Sequence, residues 1–312
     1  MNNFKKIGLT ALAGSLVATS VYAGEMSVAG SASWRISNHA GTDGGKTMAM
    51  GNQLTFTGGG EMDNGMNVAL SFILDQGDNA ALSTGPFDNH SITVSSDAMG
   101  SITFAGEGGA SAQDTVDGTA AGDIWDNTFA SYTAPTDADS NKVLTWTLPS
   151  VMDGLGVVTS YNFSSAAKEA TIGYALTYTG VEGLSATYAF GEVGGNTAGT
   201  TGAEVTTMKA SFAFGPITAA MSINDYDITG ASNEEQSSYK ISYSVSDELS
   251  VSYGSETHET TGQTTDEEFD QISVSYTTGG LTASVSQTNA DNVNGATQSE
   301  QQKWNIGLSF AF

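Results

Sequence analysis

The sequence predicts an all-β fold: a 16-stranded antiparallel transmembrane β-barrel with short turns at one rim and long loops at the other. Three observations predict it. Apolar and polar residues alternate through sixteen segments, no window after residue 23 is apolar enough for a spanning helix, and tight connections alternate with long polar ones. The 312 residues include 38 Gly, 4 Pro and no Cys, a composition of many short elements joined by turns, without disulfides or thiolate metal sites. With 34 Asp or Glu against 9 Lys or Arg, the net charge of −25 repels phosphate and excludes nucleic acid as a partner. Disorder is a poor reading too, because 13 Phe, 11 Tyr and 4 Trp are more than a solvating tail carries.

The chain divides into two parts. Residues 1–23 read as a cleaved signal peptide: Lys5 and Lys6 form a positive start, Ile7 to Val21 an apolar stretch, and Val21-Tyr22-Ala23 a cleavage site with small residues at −3 and −1. The stretch is shorter than the roughly 20 residues that span a bilayer as a helix. Residues 24–312 form the barrel domain, 289 residues that keep 34 acidic against 7 basic groups, a net charge of −27.

The C-terminal segment carries the clearest alternation. Trp304, Ile306, Leu308, Phe310 and Phe312 share one face, while Lys303, Asn305, Gly307, Ser309 and Ala311 share the other. Upstream, the first strand alternates through Met26, Val28, Ala32, Trp34 and Ile36, the second through Leu54 and Phe56, and the third through Met66, Val68, Leu70, Phe72 and Leu74. Ile92 with Val94 and Ile102 with Phe104 flank the turn SDAMG as the fourth and fifth. Leu144, Trp146 and Leu148 mark the sixth; Leu155, Val157, Tyr161 and Phe163 the seventh; Ile172, Tyr174, Leu176 and Tyr178 the eighth. Then follow Leu184, Tyr188 and Phe190; Met208, Phe212 and Phe214; Ile217, Met221 and Ile223; and Tyr239, Ile241, Tyr243 and Val245. Leu249, Val251 and Tyr253, then Ile272, Val274 and Tyr276, then Leu281, Ala283 and Val285 bring the count, with the C-terminal strand, to sixteen.

A soluble two-sheet sandwich also alternates, so the connections carry the distinction. Tight links at 96–100, 149–154, 179–183, 215–216, 246–248 and 277–280 alternate with polar segments at 75–90, 106–141, 191–203, 225–236, 256–267 and 288–302. Short turns on one rim and long loops on the other suit a barrel in a bilayer.

The string HSITVSSDAMGSITFAGEGG, a long acidic segment and SNKVLTWTLPSVMDGLGVVTSYNF, together with MSVAGSASWRIS at the start and the terminal Phe312, resemble the sixteen-stranded general diffusion porins of Gram-negative bacteria. The resemblance covers the mature chain. It implies an outer-membrane location, a water-filled channel for passive diffusion of small hydrophilic solutes and ions, a homotrimer, and a C-terminal Phe312 read by the barrel-assembly machinery as an assembly signal. It also implies that the third loop, residues 106–141, folds into the barrel and narrows it. The sequence departs from the family in lacking a basic residue after Gly106, a Pro-Glu-Phe-Gly-like string in that loop, and an arginine cluster on the facing wall, since Arg35 is the only arginine.

If the apolar face meets lipid, alternation points Arg35, Lys209, Lys240 and Lys303 inward as the basic residues of the pore wall. The third loop supplies acids to the constriction: Glu107, Asp114, Asp117, Asp123 and Asp126, with Asp137 and Asp139 near its end. Charges in a narrow channel act within a Debye length of about 8 Å, so these acids predict a preference for cations. Other chemistry is sparse. His39, His90 and His258 read as surface histidines in or beside outer loops, without a metal-binding helix motif or a serine-nucleophile motif. Asp123 with Asp126, or Asp266-Glu267-Glu268 with Asp270, could hold Ca²⁺ through oxygen ligands, but no EF-hand spacing is present and a solvated loop is the favoured reading. Trp125, Phe129 and Tyr132 could stack sugars or brace the loop. No cofactor, metal or catalytic residue is expected. The competing readings are a solute-specific channel, an outer-membrane barrel enzyme and a soluble periplasmic sandwich.

Overall fold

The computed structural model describes residues 24, 26–38, 45–75, 87–116, 118–124, 141–163, 170–193, 202–228, 232–293 and 301–312; the signal peptide expected over 1–23 lies outside them. Sixteen strands follow the chain: β1 Met26–Asn38, β2 Lys46–Glu61, β3 Asn67–Asp75, β4 Phe87–Ser96, β5 Gly100–Glu107, β6 Val143–Thr147, β7 Leu155–Asn162 and β8 Thr171–Tyr178. The second half comprises β9 Leu184–Val193, β10 Ala203–Phe214, β11 Ile217–Ile228, β12 Glu234–Ser244, β13 Leu249–Thr260, β14 Glu267–Thr278, β15 Leu281–Asp291 and β16 Gln301–Ala311. Each pairs antiparallel with its sequence neighbours, and β1 pairs with β16 to close the barrel. No helix among the described residues is long and apolar enough to cross a membrane.

The faces fall as the alternation predicts. Leu70, Ile92, Phe104, Ile172, Met221, Ile241 and Ile272 are exposed, while the buried set consists mostly of small and polar side chains on the inner face. That inversion excludes the soluble sandwich, whose apolar faces would meet each other. Inner-face hydroxyls pair across strands, Thr93 with Thr103 at 2.9 Å, Ser252 with Ser273 at 2.7 Å and Thr177 with Thr187 at 3.1 Å, so the wall satisfies its own polar groups. On the outer face Phe56 stacks on Phe72 at 4.8 Å and Tyr174 on Phe190 at 5.1 Å. Tyr178, Phe214, Tyr243, Tyr276 and Phe310 gather near the short-turn rim, as an interfacial aromatic girdle does.

Two strand ends explain how the barrel closes and how tightly it turns. Gly30 and Phe312 exchange backbone hydrogen bonds of 2.7 and 2.9 Å, and a Cβ on Gly30 would collide with the Phe312 ring. Glycine therefore gives the terminal aromatic its seat on β1. The link Gly215-Pro216 between β10 and β11 begins with φ of +56° at Gly215, the left-handed conformation that two-residue hairpins require.

The strands on the long-loop side run further than the apolar pattern suggests. Much of 225–236 and 256–267, read from sequence as loop, is strand: Asn224 pairs with Gln236 and Glu235 with Glu259. Backbone pairing continues where the wall rises above the lipid, because the ladder needs hydrogen bonds and not an apolar face.

Candidate functional site

The described part of the connection between β5 and β6 that follows β5, residues 108–116 and 118–124, enters the barrel and lies on the inner wall. This stretch has a local design. Ser111 Oγ accepts from the backbone N–H of Asp114 at 3.0 Å and caps a single 3₁₀ turn, Asp114–Val116. Further on, Asp123 Oδ1 accepts from the Thr119 amide at 3.1 Å while Thr119 Oγ1 accepts from the Asp123 amide at 2.7 Å. This reciprocal pair fixes the bend at Gly122, whose φ is +93°.

Side chains from six strands hydrogen-bond the loop, beginning with Thr145 of β6, whose hydroxyl donates to the Ala110 carbonyl at 2.7 Å. Ser160 of β7, Ser222 of β11 and Ser238 of β12 accept the backbone N–H groups of Ala112, Ala120 and Ala121 at 2.8, 2.9 and 2.8 Å. Gln113 donates to Thr207 Oγ1 of β10 at 3.0 Å, and the Thr119 hydroxyl donates to Glu256 of β13. These bonds satisfy loop donors that water no longer reaches. Ala121 and Ile124 pack against Phe269, Ala290 and Val293, and Ala112 with Val116 against Ala175, Ala189 and Val158, so two apolar clusters seat the loop on the wall. Close approach at β13 depends on Gly254, where a Cβ would lie 2.8 Å from that of Ala121. Gly254→Val is accordingly expected to push the loop off the wall towards the pore axis, lowering single-channel conductance while the barrel still folds; unchanged conductance would place the loop elsewhere.

The residues expected to form the site separate into groups. Glu107 is the last residue of β5, exposed and in register opposite His90, and so ends a strand instead of lying in the loop. Asp114 and Asp123 lie on the loop, each half-buried. Asp117 and Asp126, like Trp125, Phe129, Tyr132, Asp137 and Asp139, lie outside the described residues. All four basic residues are on the inner face, but they do different work. Lys209 Nζ donates to the Gly118 carbonyl at 3.0 Å and Lys240 Nζ to that of Ala121 at 3.5 Å, so both clamp the loop from the wall side. Lys303 is buried at 5 % exposure. Arg35 alone stands exposed in the lumen.

Three residues that support the loop escaped the sequence reading. Glu256 is 1 % exposed and lies beneath Thr119. His258, expected at the surface, is buried: its Nε2 lies 3.0 Å from Gln236 Nε2, and its ring packs on Phe269 at 5.2 Å. Phe269 itself was the available signal, an aromatic residue on the inner face of β14 that something had to cover. The Asp266–Asp270 run does not converge, since alternation turns Glu267 inward and Glu268 and Asp270 outward. No group of acids, His or Cys among the described residues could hold a metal ion.

A closed wall with an apolar exterior, a hydroxyl-lined interior and a loop that narrows the bore defines a membrane diffusion channel. The chain belongs to the Gram-negative porin family, whose sequence profile matches residues 8–312, and its place is the outer membrane. Among solved structures it is similar to an anion-selective porin from Comamonas acidovorans, with a TM-score of 0.71 at 12% identity, over 93% of this chain and 100% of that one. OmpT, an outer-membrane protein of Vibrio cholerae, matches with a TM-score of 0.67 at 12% identity, over 94% of this chain and 99% of that one. The same protein in a trimer form matches at 0.63 and 12% identity, over 93% and 100%. Likeness at this identity speaks for the fold, so the ion preference of one neighbour does not transfer. No curated protein matches the sequence.

Proposed function

We propose that the channel passes small hydrophilic solutes and ions passively and prefers cations. The observation that carries this reading is the division of charge at the third loop. Lys209 and Lys240 lie on the wall side with their ammonium groups against loop carbonyls, whereas Asp114 and Asp123 on the loop, and Glu107 at the end of β5 that leads into it, keep water-accessible surface. A solute crossing the narrow level passes within a Debye length of the acids. The net charge of −25 on the whole chain adds the same sign to the long-range field. The test is the zero-current potential of the purified protein in a planar bilayer under a KCl gradient. A potential with the sign of K⁺ preference supports the reading, and one with the sign of Cl⁻ preference refutes it.

Biogenesis follows the same reading. Residues 1–23 act as a cleaved signal peptide, the mature chain begins at Gly24, and three copies associate in the outer membrane. The terminal Phe312, 70 % exposed and seated over Gly30, presents an aromatic end to the barrel-assembly machinery. Phe312→Ala is expected to mature slowly and accumulate as unfolded chain in the periplasm in a pulse-chase experiment; an unchanged rate would remove the assembly role.

A further inference from the structure

Arg35 stands apart from the other inward cations. It is the only arginine in the chain, it is exposed in the lumen, and its guanidinium makes no hydrogen bond or ion pair among the described residues. Its cross-strand neighbours are Ala49 on β2 and Gly307 on β16, which have no side chain long enough to cover or neutralise it. A lumen-facing niche of about 370 Å³ surrounds it, shared with Ser33, Ser284 and Ser309 and floored in part by Gly51 and Gly307. Added bulk would close this space: a Cβ on Gly307 would lie 3.0 Å from Ser284 Oγ, and one on Gly51 would lie 2.9 Å from Ser33 Oγ.

A planar guanidinium with uncommitted donors, beside hydroxyls able to donate further bonds, matches a carboxylate. A bare anion, however, must first enter a channel whose net charge is strongly negative. A solute that carries its own ammonium group escapes that penalty, and the loop acids attract its cationic end. We propose that the Arg35 niche is a subsite for the carboxylate of small zwitterionic solutes of the amino-acid class. It rests on the diffusion-channel reading above and names a substrate class for it.

The test is block of K⁺ current through single channels by 4-aminobutanoate, with its ethyl ester as the probe that lacks the carboxylate. The acid is expected to reduce conductance saturably and the ester to do so much less. Arg35→Gln should raise the half-blocking concentration about tenfold or more, the range of a charge-assisted hydrogen bond, and Arg35→Lys should fall between. Gly307→Val, which narrows the niche and keeps the charge, should weaken block as well, so the outcome does not hang on the folding of one variant. Equal block in Arg35→Gln and the unmodified protein, or equal block by acid and ester, overturns the subsite. A normally conducting channel that 4-aminobutanoate never blocks overturns the subsite and leaves the diffusion reading standing. A folded barrel that does not conduct overturns both.

Discussion

Leu70→Arg is expected to destabilise the barrel by about 2 to 4 kcal/mol in a bilayer if the position lies near the midplane, because the guanidinium must sit in hydrocarbon or drag water to itself. Leu70 lies on the outer face of β3 at 47 % exposure, between Gly58 of β2 and Ile92 of β4. Neither neighbour offers a partner for the charge. Urea titration of the protein folded into vesicles, followed by the loss of heat-modifiable migration, measures the effect. A matched substitution on the inner face, Ala69→Arg, meets water and should cost far less. Equal stability of the two variants would invert the assignment of faces.

Neutralising Asp114, Asp117, Asp123 and Asp126 together to Asn is expected to move the zero-current potential roughly halfway or more towards nonselectivity, since the charges nearest the path dominate in a narrow bore. The barrel should remain folded. Asn at 123 still offers an oxygen to the Thr119 amide, from which Asp123 accepts at 3.1 Å, and the wall holds the loop through bonds at Ala110, Ala112, Gln113, Gly118, Thr119, Ala120 and Ala121 that these substitutions leave in place. An unchanged reversal potential would remove this loop as the selectivity element. The measurement also separates acids from clamping lysines. Replacing Lys209 or Lys240 frees a loop carbonyl, so its first effect should be on conductance fluctuations.

The sixteen strands and their facing were determined by the sequence itself, because a pleated strand at an oily boundary writes its environment into a period of two. Met26 through Ile36 at one end and Trp304 through Phe312 at the other show this plainly, and the even count brings β16 back to β1. The tight turns were equally local, resting on residues such as Gly215 and Pro216. The upper reaches of the strands were not legible, since above the lipid both faces are polar and Asn224, Gln236 or His258 looks the same in a loop as in a ladder.

The division of labour among the inward charges was decided only by the tertiary structure. Lys209 finds its carbonyl 91 positions away and Thr119 its carboxylate 137 positions away, and no local period encodes contacts of that separation. Periodicity could say that Arg35, Lys209, Lys240 and Lys303 point inward. Which of them meets the third loop, which is buried and which stays open to a passing solute depends on where that loop lies across the barrel. That placement is fixed by the serines of β7, β11 and β12, the bare backbone at Gly254 and the cluster around Phe269, which act together only once the wall has closed.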